Sequence, residues 1–352
     1  MELTVLNSNF DEIDVVDVFK SLIWTERYYS YGDFELTLSG KDYKNKVLPL
    51  KYYFRKGSSD RLMIIEKINL TSSLDEGDTA VLSGRSLESI LDRRIIWGLK
   101  IVSGNIQNVI KTLLDENVIN PSNTDRKIPN FIFKESKDSE ILKISIEAQY
   151  TGDNLYDVIQ TLCEACNIGF RITLNDEKQF VFELYAGQDR TYSQNTNPYV
   201  KFSPEFDNLN GSNYMSSDMA LKTVTLIGGE GEGKERRYST VGGGTGLERR
   251  ELFTDARDIS SNVEDGKTLS DSEYCALLNQ RGNEKLLENV YVEAFEGSAE
   301  VTELYQYNTD FYIGDLVQIV NEYGCEGSAR ILEFVESEDN DGYSAYPTFK
   351  TT

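Results

Sequence analysis

In Ser83-Gly84-Arg85-Ser86-Leu87-Glu88-Ser89-Ile90-Leu91-Asp92-Arg93-Arg94 the apolar period of the chain changes. Before this segment apolar residues alternate with polar ones, the period-two pattern of half-buried strands. After it they recur at helical spacing. Glycine at the switch permits a tight turn, and Ser86 is placed to cap the helix that follows. A β-rich unit therefore ends near residue 85, and a unit of mixed character starts at 86.

Upstream, Asp33-Phe34-Glu35-Leu36-Thr37-Leu38 alternates cleanly behind the turn-prone Tyr31-Gly32. Arg61 to Leu70 and Thr79 to Ser83 repeat the pattern across Asp75-Glu76-Gly77-Asp78, so residues 1–85 read as antiparallel β-structure. Downstream, Leu87, Ile90 and Leu91 open a short helix. Ile106, Val109, Ile110, Leu113 and Leu114 form the stripe of a second, and Leu155, Val158, Ile159, Leu162, Cys163 and Cys166 that of a third. A hairpin is expected from Arg171–Leu174 to Gln179–Tyr185 across Asn175-Asp176, which makes 86–190 an α+β unit.

Strand character returns at Tyr199–Phe202 and Leu221–Ile227, so 191–229 reads as a return to the β-structure. Gly228 to Gly246 is rich in glycine and charge and is expected to be a surface loop that orders on assembly. Ser270-Asp271-Ser272-Glu273 has the capping-box pattern, and a helix is expected from there to about Glu288, within a 230–289 insertion. Val290–Phe295, Val301–Tyr305, Asp315–Val320 and Ala329–Val335 then give a second β-rich unit over 290–352.

Composition bounds the chemistry. The 352 residues include no histidine, which removes Ser-His-Asp and Cys-His nucleophilic systems and histidine-ligated metal sites. Thirty-six Lys and Arg against 59 Asp and Glu give a net charge of −23, the wrong sign for gripping the outside of a duplex. No apolar run reaches the roughly 18 residues of a membrane span, so no membrane anchor is expected. Met1-Glu2-Leu3-Thr4-Val5 lacks the features of a secretory leader, and Cys163, Cys166, Cys275 and Cys325 are too scattered for a disulfide framework. Synthesis in a cytoplasm with free thiols is expected.

The chemical motifs yield to plainer readings. Gly228-Gly229-Glu230-Gly231-Glu232-Gly233-Lys234-Glu235 has the G-x-x-x-x-G-K spacing of a phosphate-binding loop, but Glu235 stands where a hydroxyl should hold magnesium. Cys163-Glu164-Ala165-Cys166 has redox or zinc spacing, yet both cysteines fall on the apolar helix face. Paired carboxylates for glycoside hydrolysis arise by chance among 59 acids. The tyrosines at Tyr28-Tyr29-Tyr31 and Tyr52-Tyr53 suit sheet faces and subunit contacts equally. No catalytic, cofactor-binding or metal-ligating residue is assigned.

Four segments together resemble one family. Tyr31-Gly32-Asp33-Phe34-Glu35-Leu36, Ser83 to Arg94, the Gly229-Glu230-Gly231 loop with Arg237 and the stretch Arg250-Glu251-Leu252-Phe253-Thr254-Asp255-Ala256-Arg257, and Asp310-Phe311-Tyr312-Ile313-Gly314-Asp315-Leu316-Val317 follow the order of motifs in siphophage and prophage tail-associated tip proteins. The resemblance implies a fold similar to baseplate hubs: two β-barrel tube domains (1–85 and 290–352, mainly) carrying inserted α+β and helical domains. It implies a structural, non-enzymatic homotrimeric ring at the virion tail tip. The ring would join the tail tube, distal tail protein and tape measure protein to tip, fibre or receptor-binding proteins, and would line or gate the DNA channel. Two rival expectations are a cell-wall hydrolase using paired carboxylates and a receptor-binding module for host glycans.

Overall fold

The structure is a computed structural model that describes every residue except 47, 58, 74–76, 263–267, 299–303, 325 and 352. Asp75-Glu76 of the expected turn, Val301 to Glu303 of an expected strand, and Cys325 lie outside the described residues.

The long strand Glu326–Asp339 is the spine of the molecule. Its far edge pairs with Gly342–Thr351 as an antiparallel hairpin. On its near edge the partner changes along its length: Glu326 to Arg330 pair with Leu316–Val320, and Glu333 to Asp339 pair with Ser21–Arg27. The change falls at a register shift between Ile331 and Glu333, a bulge that bends the strand and lets it serve two neighbours. From Ser21–Arg27 the sheet continues through Asp33–Ser39 and Thr79–Arg85 to Lys67–Thr71. In the other direction it runs through Val292–Ser298 to Asn210–Ser217, and Lys201–Phe202 joins Leu316–Val320 in parallel. Strands from both ends of the chain, with two from after residue 200, thus form one ten-stranded sheet.

Two hydrophobic cores lie along this sheet. The first sits between its N-terminal strands (Leu22, Trp24, Phe34, Leu36, Leu38, Ala80, Leu82) and a separate four-stranded sheet of Leu3–Leu6, Glu12–Val16, Tyr53–Lys56 and Leu62–Ile64. The second gathers Tyr28, Phe202, Phe311, Val317, Ile319, Ala329, Ile331, Phe334 and Phe349 around the C-terminal hairpin. No sheet among the described residues closes on itself through hydrogen bonds, so the β-rich class expected from the sequence is present as open sheets over two cores.

The expected run Arg61 to Leu70 is two strands, because Leu62–Ile64 pairs in the small sheet and Lys67–Thr71 in the large one. Gly84 allows the crossing: a Cβ there would lie 1.7 Å from the Ile64 carbonyl oxygen. The segment after Ser86 is a 3-10 helix, Leu87–Arg93, and it buries Leu87, Ile90 and Leu91 as the spacing requires.

A third core belongs to residues between 86 and 190, with Leu6, Leu62 and Ile64 contributing from the β-unit. Helix Ile106–Leu114 and helix Leu155–Ala165 bury the stripes read from the sequence. The hairpin Gly169–Leu174 to Phe180–Tyr185 turns at Asn175 as expected. A pair the periodicity did not reveal, Leu99–Asn105 with Ser145–Thr151, completes the unit.

The fourth core joins helix Asp271–Leu287 to a three-stranded sheet in which Val224–Gly228 is central, between Tyr238–Gly242 and Glu251–Asp255. The capping box is formed: the Ser270 side chain accepts from the Glu273 amide, and the Glu273 carboxylate accepts from the Ser270 amide. Gly228 to Gly246 is therefore not a loop throughout. Tyr238–Gly242 is a strand, and its Val241 packs on the helix where Gly282 leaves room.

Candidate junction between the sheet cores

The sequence motifs converge where the cores meet. Tyr28 follows the strand Ser21–Arg27 and is fully buried. Three glycines admit its ring and the chain around it. A Cβ at Gly314 would lie 2.3 Å from the ring, one at Gly169 2.4 Å, and one at Gly187 1.8 Å from the Gly314 carbonyl oxygen. Gly314 also has φ +94, a conformation that favours glycine. The Tyr28 hydroxyl accepts from the Gly187 amide at 3.2 Å and lies 3.2 Å from the Asn167 carbonyl oxygen, to which it donates. Tyr29 donates to Asn167 Oδ1 at 2.9 Å. Burial raises both phenols, Tyr29 to about 12, so both stay protonated and act as donors.

Asp315, next to Gly314, fastens the segment returning from the inserted unit. It is 2% exposed, accepts from the Gln188 amide at 2.7 Å and the Tyr312 amide at 3.1 Å, and pairs with buried Arg190 at 2.5 Å. The Asp310-to-Val317 motif is thus a clasp: its glycine admits Tyr28 and its second aspartate holds 188–190.

The Ser83-to-Arg94 motif makes the other half of the junction. Glu88 is completely buried, pairs with Arg61, and accepts from the Ile172 amide at 3.0 Å. Ser86 does not cap the helix as expected. Its hydroxyl donates to Glu88 and its oxygen accepts from the Gly32 amide at 2.8 Å instead of from an amide of the helix's first turn. Arg61 reaches Tyr185 at 3.2 Å, while Arg85 grips Glu66 with two bonds of 2.7 and 3.0 Å and lies over the Tyr31 ring.

Glu26 extends this polar seam toward the second core. It accepts from Trp24 Nε1 at 3.1 Å, from the Tyr307 hydroxyl at 2.8 Å, and from Ser59. Burial pushes its carboxyl up, but Lys56, Arg61 and the two hydroxyl donors outweigh that and hold it below the usual range. Lys56, buried beside it and paired with Glu336 of the spine strand, is lowered by burial to about 8 while Glu26 opposes the shift. Buried charges satisfied on several sides fix one arrangement of the surrounding elements.

The Gly229-Glu230-Gly231 loop is tied down as well. Glu230 pairs with Arg237 at 3.2 Å and accepts from the Ser261 amide at 3.0 Å, and its own amide donates to the Tyr274 hydroxyl at 2.7 Å. The Arg237 guanidinium lies 4.0 Å from the centre of the Tyr274 ring. The Gly229 amide donates to the Arg237 carbonyl at 2.8 Å, so the start of the loop is held by its own chain. Asp255 of the arginine-rich stretch pairs with Arg236 and Arg257 at 2.7 and 2.6 Å.

Cys163 is fully buried in the third core and Cys166 is half-buried at the helix end. Burial raises both thiols, Cys166 to about 11, which leaves little thiolate for redox or metal chemistry. Among the described residues no cluster of acids and cysteines is arranged to hold a metal, and no helix is long and apolar enough to cross a membrane. The tyrosine clusters face inward: Tyr28 and Tyr29 at the junction, Tyr31 on Tyr156 at 5.0 Å, Tyr53 on Phe10 at 4.8 Å. Sequence reading missed Glu26, Lys56 and Arg61, whose one signal was a charge inside a strand-forming run.

The comparisons agree with this architecture. A prophage tail protein of Shewanella oneidensis (MuSo2, 43 kDa) is similar over 99% of this chain and 98% of its own, with a TM-score of 0.60 at 12% identity. Tail protein gp18 of a Listeria monocytogenes EGD-e prophage is similar over 100% and 95% (0.56, 11%), and the tail protein of Neisseria meningitidis MC58 over 99% and 95% (0.55, 11%). No curated protein matches the sequence. The family model described as siphovirus ReqiPepy6 Gp37-like protein matches residues 2–349, and with the fold of solved prophage tail proteins around it, this chain belongs to that siphovirus family.

Proposed function

We propose that the chain is a structural, non-enzymatic tail component: the hub at the distal tip, where three copies close a ring. The ring joins the six-fold tail tube, distal tail ring and tape measure protein to the tip or fibre proteins. The observation that carries this reading is the spine strand Glu326–Asp339, which holds two β-rich cores side by side in one chain. Two such units per chain give six in a trimer, enough to match a six-fold tube on one side while the other side stays three-fold.

In this reading residues 1–85 and 290–352, with the return strands after 190, build the wall, and the two barrels are the form these sheets take around the channel. The units at 86–190 and at the Val224-to-Leu287 sheet and helix are insertions carried outside it. Three copies of a −23 chain bring −69 to the ring, and acidic side chains facing the bore would repel DNA leaving the capsid. The buried seam around Glu26, Glu88 and Asp315 supports a rigid wall unit. Imaging of assembled tails with the chain labelled at its C-terminus tests the reading: three labels around the distal channel support it, and labels along the tube or on side fibres refute it.

A further inference from the structure

The two tryptophans have opposite surroundings: Trp24 is fully buried in the first core, and Trp97 is 63% exposed. The neighbouring Ile96 already anchors the segment, at 1% exposed, so packing does not account for an indole at 97. Trp97 is nevertheless held. The Arg126 guanidinium lies 4.5 Å from the ring centre, and Arg126 is itself pinned by the Ile95 carbonyl at 2.6 Å and Asn117 Oδ1 at 3.0 Å. The Trp97 amide donates to the same Asn117 oxygen at 3.3 Å. An aromatic face fixed from one side and open on the other is a preorganised platform.

Beside it lies a groove of about 510 Å³. Part of its wall is a π-helical turn, Asp115–Ile119, that continues the helix Ile106–Leu114. Such turns are rare and concentrate at functional sites. The cations along the groove are spent: Lys100 on Glu116, and Arg126 on Trp97 and its two oxygens. An anionic ligand is disfavoured in a chain of charge −23. Among the described residues the Ser122 hydroxyl, the Asn120 amide oxygen and the Asn123 amide NH2 have no partner, although all three residues line the groove. A peptide knob would meet apolar surface at Trp97 but little else among the residues lining the groove. The fitting ligand is neutral, with one apolar face and several hydrogen-bonding groups around its edge.

We propose that this groove binds a glycan chain through an N-acetylhexosamine residue. The C–H face of the pyranose stacks on Trp97. Its acetamido N–H donates to the Asn120 amide oxygen, the acetamido carbonyl accepts from the Asn123 amide, and a ring hydroxyl meets Ser122. The inference is independent of the ring assembly.

Because Trp24 is buried, acrylamide quenching of tryptophan fluorescence in the full chain reads Trp97 alone. Tri-N-acetylchitotriose at about millimolar concentration is expected to protect Trp97 saturably. In Trp97→Ala the remaining Trp24 emission should stay resistant to quencher, showing an intact core, while saturation-transfer NMR detects no bound sugar. Asn120→Ala combined with Ser122→Ala should weaken binding about tenfold with Trp97 still reporting. Absence of protection by the chitotriose overturns the proposal. Equal protection by cellotriose, which lacks the acetamido group, also overturns it. Protection that rises with protein concentration without sugar overturns it in favour of a protein contact.

Discussion

At the residue scale, the molecule relies on a few buried charges and glycines whose roles depend on distant parts of the chain. Glu88→Ala would leave Arg61 buried without its carboxylate, and a loss of about 3–5 kcal/mol is expected in denaturant unfolding. Gly314→Ala meets both the Tyr28 ring and a left-handed backbone, so it should cost more than about 3 kcal/mol and lower soluble yield, whereas Gly243→Ala, with nothing near its Cβ and no positive φ, should be close to neutral. Glu26 sets an acid limit. Its folded carboxyl titrates below its ordinary 4.5, so its stabilising contribution is complete above that pH and is lost as the pH falls through the folded value. Thermal midpoints measured from about pH 7 down to about pH 3 should fall for the native chain and less steeply for Glu26→Gln. Parallel slopes would remove Glu26 from this account.

At the element scale, the legible parts were those whose periodicity answers to one neighbour. Asp33-to-Leu38 and the helices Ile106–Leu114 and Leu155–Ala165 each bury one face, so alternation or a stripe announces them. Elements serving two neighbours were misread. Arg61 to Leu70 reads as one strand because the apolar run Leu62 to Ile65 passes into the alternating Ile68 and Leu70 with no turn residue between them, and Glu326–Asp339 reads shorter than it is because its outer part carries Glu336, Glu338 and Asp339 toward a second partner. Tyr238–Gly242 looked like loop because its apolar support, the helix Asp271–Leu287, lies far along the chain. Of the junction, Gly84, Gly314 and Asp315 were legible as motif residues. Local spacing makes Ser86 a cap because it cannot show the Gly32 amide, distant in the chain, donating to its hydroxyl oxygen. The cap that was read correctly gives its own prediction: Ser270→Ala should cost about 1 kcal/mol and loosen amide protection in the first turn of that helix while leaving the spine hairpin unchanged.

At the scale of the whole molecule, the shared sheet joins the two β-rich cores in one frame. Arg27 reinforces that frame by bonding Asp33 on one neighbouring strand and Glu333 on the spine, at 2.5 and 2.6 Å. If three such frames close the proposed ring with acids facing its bore, DNA would not adhere to the passage, and substituting those acids with lysine should slow genome release in ejection assays at low salt more than at high salt. The most direct measurement is a three-dimensional reconstruction of the isolated tail tip by electron cryomicroscopy. Three copies of this chain should encircle the channel, with both β-rich cores of each copy contributing to a six-part wall. A tip in which the chain occurs in another copy number, or lies outside the channel wall, would contradict the account.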